Sequence, residues 1–74
     1  SPNDTTPLMM AARQGREAAV RTLLNLGANP ALKNQAGYNA AGYAMKAQRN
    51  ELALEIMKKE KALRKAPLKP STVN

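Results

Sequence analysis

Cysteine, histidine, phenylalanine and tryptophan are all missing from the 74 residues. Without cysteine there are no disulfide staples and no thiolate ligands. Without histidine there is no imidazole metal site and no histidine-dependent nucleophile or base. Carboxylates are also scarce: Asp4, Glu17, Glu51, Glu55 and Glu60 are scattered along the chain, and no base partners any of the serines. Catalysis therefore has nothing to stand on, and neither an enzyme nor a bound cofactor, metal or small-molecule substrate is expected. No run of about 18 apolar residues occurs, so no segment reads as a membrane-spanning helix. The absence of cysteine slightly favours a reducing, cytoplasmic setting, although a cysteine-free chain can work in any compartment. At this length there is room for one small domain, of a size that usually needs help to stay folded.

What the chain has is charge of one sign, a net +7. Residues 1–57 carry six Lys/Arg against four carboxylates, a net +2, whereas residues 58–74 carry six against Glu60 alone, a net +5. The body is nearly balanced and the basicity belongs to the C-terminal end.

Alanine, leucine, arginine, lysine and methionine dominate, with only three valines or isoleucines and two tyrosines. That mix favours helices over strands. In Thr6-Pro7-Leu8-Met9-Met10-Ala11-Ala12, Thr6 suits an N-cap and Pro7 stands where its missing N–H costs nothing. A short helix is expected from Pro7 to Gln14, broken at Gly15. Ala18, Val20, Leu23, Leu24 and Leu26 give a second with helical periodicity, ending at Gly27. Asn29-Pro30 forces an extended exit, and Asn34 to Gly37 reads as a turn. The plan then returns: Asn39 as cap, a short helix from Ala40 to Gln48, a break at Arg49-Asn50, and a last helix marked by Leu52, Ala53, Ile56 and Met57 that runs to about Ala66. A shift of 33 residues superposes Thr6 on Asn39, Ala11 on Ala44, Arg16 on Arg49, Leu23 on Ile56 and Leu24 on Met57. Such a period, with a helix–turn–helix in each copy, is a repeat signature. The small alanines then let neighbouring short helices approach closely.

The run Thr6-Pro7-Leu8-Met9-Met10-Ala11-Ala12-Arg13-Gln14-Gly15-Arg16, followed by Val20-Arg21-Thr22-Leu23-Leu24-Asn25-Leu26-Gly27-Ala28-Asn29-Pro30, resembles an ankyrin repeat, whose pattern is TPLHxAAxxGH and then VxxLLxxGAD. Asn34-Gln35-Ala36-Gly37-Tyr38 resembles the hairpin between consecutive ankyrin repeats. The second copy is degenerate, with Asn39-Ala40-Ala41-Gly42 where TPLH is expected and Gln48 in place of the glycine, as in a terminal, capping repeat. Met9 replaces a histidine that ordinarily ties neighbouring turns together.

The resemblance implies an all-α fold of helix-turn-helix repeats stacked as a short solenoid with a hairpin-like loop between them. It assigns residues 1–33 to one repeat, 34–66 to a capping repeat and 67–74 to a basic, proline-containing tail, with further repeats expected upstream because at least three are usually needed for stability. A two-repeat chain alone is then expected to be marginally stable, or to self-associate through the N-terminal face of its first pair.

The resemblance also implies a protein-binding module. The contact set it points to is Arg13, Gln14, Lys46 and Ala47 at the ends of the short helices, with Gln35, Ala36 and Tyr38 on the hairpin. Tyr38 is either a partner anchor or an aromatic lid over the hairpin's own apolar atoms. Arg13 and Lys46 are either contacts or solvated cations at helix C-termini, and Tyr43 is expected to pack. Met9, Met10, Met45 and Met57 are either a soft binding face or core filling, and their helical spacing favours core filling; Leu26 reads as a small exposed patch.

The alternative reading is an electrostatic anchor to nucleic acid or anionic membrane through Lys58, Lys59, Lys61, Arg64, Lys65 and Lys69. Against it stand the absence of aromatic interleaving and two plain uses for these charges. Glu55 with Lys59, and Glu60 with Arg64, are four-apart pairs in the favourable order, and a terminal repeat needs a polar outer face.

Overall fold

A computed structural model describes residues 2–65, in which a 3-10 turn (Pro2–Asp4) precedes four helices: α1 (Pro7–Arg13), α2 (Glu17–Asn25), α3 (Ala40–Lys46) and α4 (Asn50–Lys65). No strand occurs among the described residues. Residue 66, which the sequence includes in the last helix, and the tail assigned to 67–74 lie outside them.

Local chemistry sets the helix boundaries. The Thr6 hydroxyl accepts from the Met9 amide at 3.1 Å, and the Asn39 side chain accepts from the Gly42 amide at 2.8 Å, so both expected caps are in place. The short helices stop a little before the sequence suggests, with Gln14 and Ala47 as C-caps. The reason is a tight C-terminal closure used three times, in which the two amides beyond the C-cap reach back to the last carbonyls. After α1, Gly15 and Arg16 donate to the carbonyls of Ala12 and Ala11, each at 3.0 Å. After α2, Gly27 and Ala28 donate to Leu24 and Leu23, and after α3 Gln48 and Arg49 donate to Met45 and Ala44. The closure needs a left-handed residue, supplied by Gly15 (φ 69°), by Gly27 (φ 97°) and, against the preference of an L side chain, by Gln48 (φ 62°). Asn50, expected in the break, instead opens α4.

Position 60, which matches Gly27 one repeat earlier, holds Glu. Nothing terminates α4 there, and it runs on to Lys65, about 10 Å past the level at which α2 stops, at 1.5 Å per residue.

Each helix pair packs internally, α1 on α2 and α3 on α4, and the two pairs meet chiefly through the short helices α1 and α3. Ala11, Ala12, Ala40, Ala41 and Ala44 are buried in this layer, which is the close approach that alanine permits. Leu8, Val20, Leu52 and Ile56 supply the large side chains of the core, with Leu23 and Leu24 packed against it half-buried. Of the four methionines read as core filling, only Met9 is buried, its sulfur accepting from the Thr6 amide at 3.4 Å. Met10, Met45 and Met57 are exposed at 40%, 54% and 37%. Met45 and Met57 correspond to Ala12 and Leu24, residues that face a following repeat in copy one but lie on the outer face in copy two. Leu26 is exposed, as expected.

Long-range ion pairs join α2 to the second helix pair. Arg21 makes a two-pronged contact with Glu55 at 2.8 and 3.0 Å, and Arg49 reaches Glu17 at 3.4 Å. The expected Glu55–Lys59 pair is therefore not formed, because a fork-shaped guanidinium across the repeat boundary takes the carboxylate. Glu60–Arg64 is present at 3.2 Å.

Candidate functional site

The hairpin between the repeats is organised by one buried polar side chain, Asn34. Its amide donates to the Tyr38 carbonyl at 3.0 Å, its carbonyl accepts from Gly37 at 2.9 Å, and its side-chain oxygen accepts from the Tyr38 amide at 3.0 Å. Gly37, at φ 86°, makes the turn that lets these bonds close. The remaining side-chain donor, Nδ2, reaches the Tyr43 hydroxyl at 2.7 Å and the Thr5 hydroxyl at 3.4 Å. The hairpin is thereby tied to α3 and to the loop before α1. A second tie runs from the Gln35 amide to the Asn3 carbonyl at 2.9 Å.

This frame fixes two aromatic rings. Tyr38 stacks on Tyr43 with centroids 4.8 Å apart and planes at 26°, the offset geometry that aromatic pairs favour. Gly42 makes room, since a Cβ there would meet Tyr38 Cδ1 at 3.1 Å. The Lys46 ammonium lies 5.1 Å from the Tyr38 ring centroid and donates to its hydroxyl at 3.5 Å. The result is a half-buried ring with one face backed by aromatic carbon and a cation over it.

Of the residues singled out from sequence, Tyr38 and Lys46 are thus in contact, and Gln35 and Ala36 stand exposed at the turn beside them. Arg13 lies in the last turn of α1 and Gln14 caps it, both exposed; Ala47 caps α3 and is half-buried. Those three end the neighbouring short helices, and none shares a hydrogen bond or ring contact with Tyr38. The lid reading of Tyr38 and the anchor reading are both compatible with its half burial. Tyr43, Asn34 and Gly42 were not legible as site residues, although they hold the ring in place. The only signals were the glycine where copy one has Met9 and the two tyrosines on either side of the Asn39 cap.

The basic set divides. Lys58, Lys59, Lys61 and Arg64 are exposed on the C-terminal half of α4, whereas the Lys65 side chain and Lys69 lie outside the described residues. The one resolved carboxylate shift is at Glu55, held below the ordinary 4.5 by its hydrogen bond with Arg21 and further by the charges of Arg21 and Lys58, against an opposing desolvation. Among the described residues no group of three His, Cys, Asp or Glu side chains is placed to hold a metal, and no helix is long and apolar enough to cross a membrane.

No curated protein and no solved structure gave a match to the chain. A family model described as ankyrin repeats (three copies) matches residues 1–66, the span that contains both helix pairs and the loop ahead of the first. Ankyrin repeats are generally protein–protein interaction modules, and the family is typically a non-enzymatic scaffold. With its four helices in two stacked pairs and the repeat match over nearly all of its length, the chain belongs to the ankyrin-repeat family.

Proposed function

We propose that the chain binds a partner protein on the face made by the hairpin tip and the C-terminal ends of the short helices, with Gln35, Ala36, Tyr38, Arg13, Gln14, Lys46 and Ala47 as the contact set. In this reading residues 1–33 and 34–66 are the two repeats and 67–74 a tail. The observation that carries it is the fixed Tyr38 ring, stacked on Tyr43 and crossed by Lys46. An aromatic already held in one orientation loses little freedom on docking, which is how a rigid display gains affinity. Arg13 and Lys46 add positive charge without a carboxylate in the set, which favours an acidic epitope.

The test is to select binders from a displayed random library against the full chain and measure each against variants. Tyr38→Ala is expected to weaken the selected set about tenfold or more, while Lys61→Ala with Arg64→Ala leaves affinity unchanged. Binders indifferent to Tyr38, Arg13 and Lys46 would overturn the reading.

The electrostatic anchor is the second reading, supported by the exposed cations on the C-terminal half of α4. Affinity for duplex DNA that falls steeply and linearly on a logarithmic salt axis, and is lost with Lys58, Lys59, Lys61 and Arg64 replaced, would favour it. A nearly flat salt dependence would remove it. Self-association is expected through the start of α1, where Pro7, Leu23 and the exposed Leu32 line a hollow of about 200 Å³. Sedimentation equilibrium showing a monomer at all loading concentrations would exclude it.

A further inference from the structure

The overhang of α4 creates a groove that the repeat plan does not require. Copy one turns away at Gly27, so beyond the end of α2 the flank of α4 faces the departing chain at Ala28 and Pro30 rather than a neighbouring helix. Two adjoining hollows result, of about 360 and 270 Å³, which share Leu24 and Lys59. The smaller is lined mostly by hydrocarbon, with Leu24 and Ala28 half-buried and Pro30 buried, and Ala62 and Leu63 forming the α4 wall, Leu63 with 56% of its surface free; in the larger, Leu24 is the one apolar residue. Their rim is basic. Lys58 and Lys59 line the edge with Arg21 and Glu55, so three cations stand against one carboxylate, which Arg21 already engages at 2.8 Å, and the edge is net positive.

We propose that this groove docks an acidic, leucine-bearing segment of a partner protein, apolar side chains in the hollow and carboxylates on Lys58 and Lys59. The shape favours a peptide over a bilayer, because the apolar atoms lie at the bottom of a concavity, whereas interfacial helices insert a protruding apolar face. It favours a peptide over nucleic acid because the lining offers aliphatic carbon and no aromatic ring on which bases could stack. The site shares no residue with the hairpin face, so either surface can fail without the other. It also gives the Gly27-to-Glu60 difference between the copies a use: the residue that lets α4 continue is the one that builds the wall.

Fluorescence anisotropy with the full chain and a dye-labelled peptide, Glu-Glu-Leu-Glu-Glu-Leu-Leu-Glu-Glu, tests the assignment. Saturable binding is expected, weakened about tenfold or more by Lys58→Glu with Lys59→Glu and about tenfold by Leu63→Ser, and unaffected by Tyr38→Ala. Leu63 is exposed, so its replacement leaves the fold intact, which circular dichroism checks. The proposal is overturned by no saturable binding at about 1 mM peptide, by equal binding of the peptide with its leucines changed to alanine, by no loss with Leu63→Ser, or by loss with Tyr38→Ala. Displacement of the peptide by vesicles with about one-third phosphatidylserine, with the chain found on the vesicles, would overturn it in favour of a membrane.

Discussion

The three helix closures make a paired prediction, because the same backbone conformation is carried by glycine at position 15 and by glutamine at position 48, φ 69° and 62°. For an L side chain the left-handed region costs about 1–2 kcal/mol. Replacing Gln48 by glycine removes that cost but returns about 0.5–1 kcal/mol of backbone entropy to the unfolded chain. The net expectation is a stabilisation of about 0.5–1 kcal/mol. For a domain of this size each kcal/mol is about 4–8 °C in Tm, so Gln48→Gly is expected to melt a few degrees higher. Gly15→Gln runs the other way and is the larger effect. A Cβ at Gly15 would lie 2.8 Å from Arg49 Nε, so the guanidinium must move off Glu17 as well. That ion pair is half-exposed and adds at most about 1 kcal/mol. The total is a loss of about 1–2 kcal/mol, most of it conformational. Urea and thermal melts followed by circular dichroism read both variants and their double exchange, whose departure from additivity reports the coupling through Arg49, the side chain that meets position 15 and the amide that completes the closure at Gln48. A Gln48→Gly variant less stable than the parent, together with a neutral Gly15→Gln, would refute the reasoning.

Three further outcomes follow from the same contacts. Asn34→Ala strips the hairpin of its side-chain bonds to Tyr38, Tyr43 and Thr5; a loss of about 2–3 kcal/mol in urea denaturation is expected, and none would show the network to be idle. Gly42→Ala gains helix propensity of about 1 kcal/mol but pushes on Tyr38, so near-neutral stability with a changed near-ultraviolet tyrosine signal is expected; an unchanged signal would contradict the packing. Glu55 has a folded-state pKa below its ordinary 4.5, so its contribution is present above that value and lost as pH falls through the lower one. Glu55→Gln should therefore flatten part of the acid limb of stability, measured as urea midpoint against pH in low salt, and an unaltered limb would count against the Arg21 pair.

Local chemistry was easy to read from sequence because each signal lies within a few residues of what it sets: the caps at Thr6 and Asn39, one in each copy, the turn at 34–37, and the stop at Gly27. The alanine layer followed from the same period. What escaped was whatever depends on partners distant in sequence. Glu55 has Lys59 one helical turn away, yet Arg21 takes it from the neighbouring repeat. The methionines carry the right spacing for a core, but Met45 and Met57 lie on a face that no other helix among the described residues covers. At the site, Tyr38 was visible as an exposed aromatic at a hairpin. Its hold on Tyr43, the buried Asn34 that sets both, and the room left by Gly42 arise only once hairpin and helix are brought together.

Hydrogen exchange of the hairpin amides, read by NMR on the free chain, tests most directly whether the binding face is fixed before any partner arrives. The account predicts slow exchange at Gly37 and Tyr38, whose amides are bonded to Asn34, and fast exchange at the exposed turn residue Ala36. Uniformly fast exchange from Asn34 to Tyr38, with the four helices still protected, would contradict it.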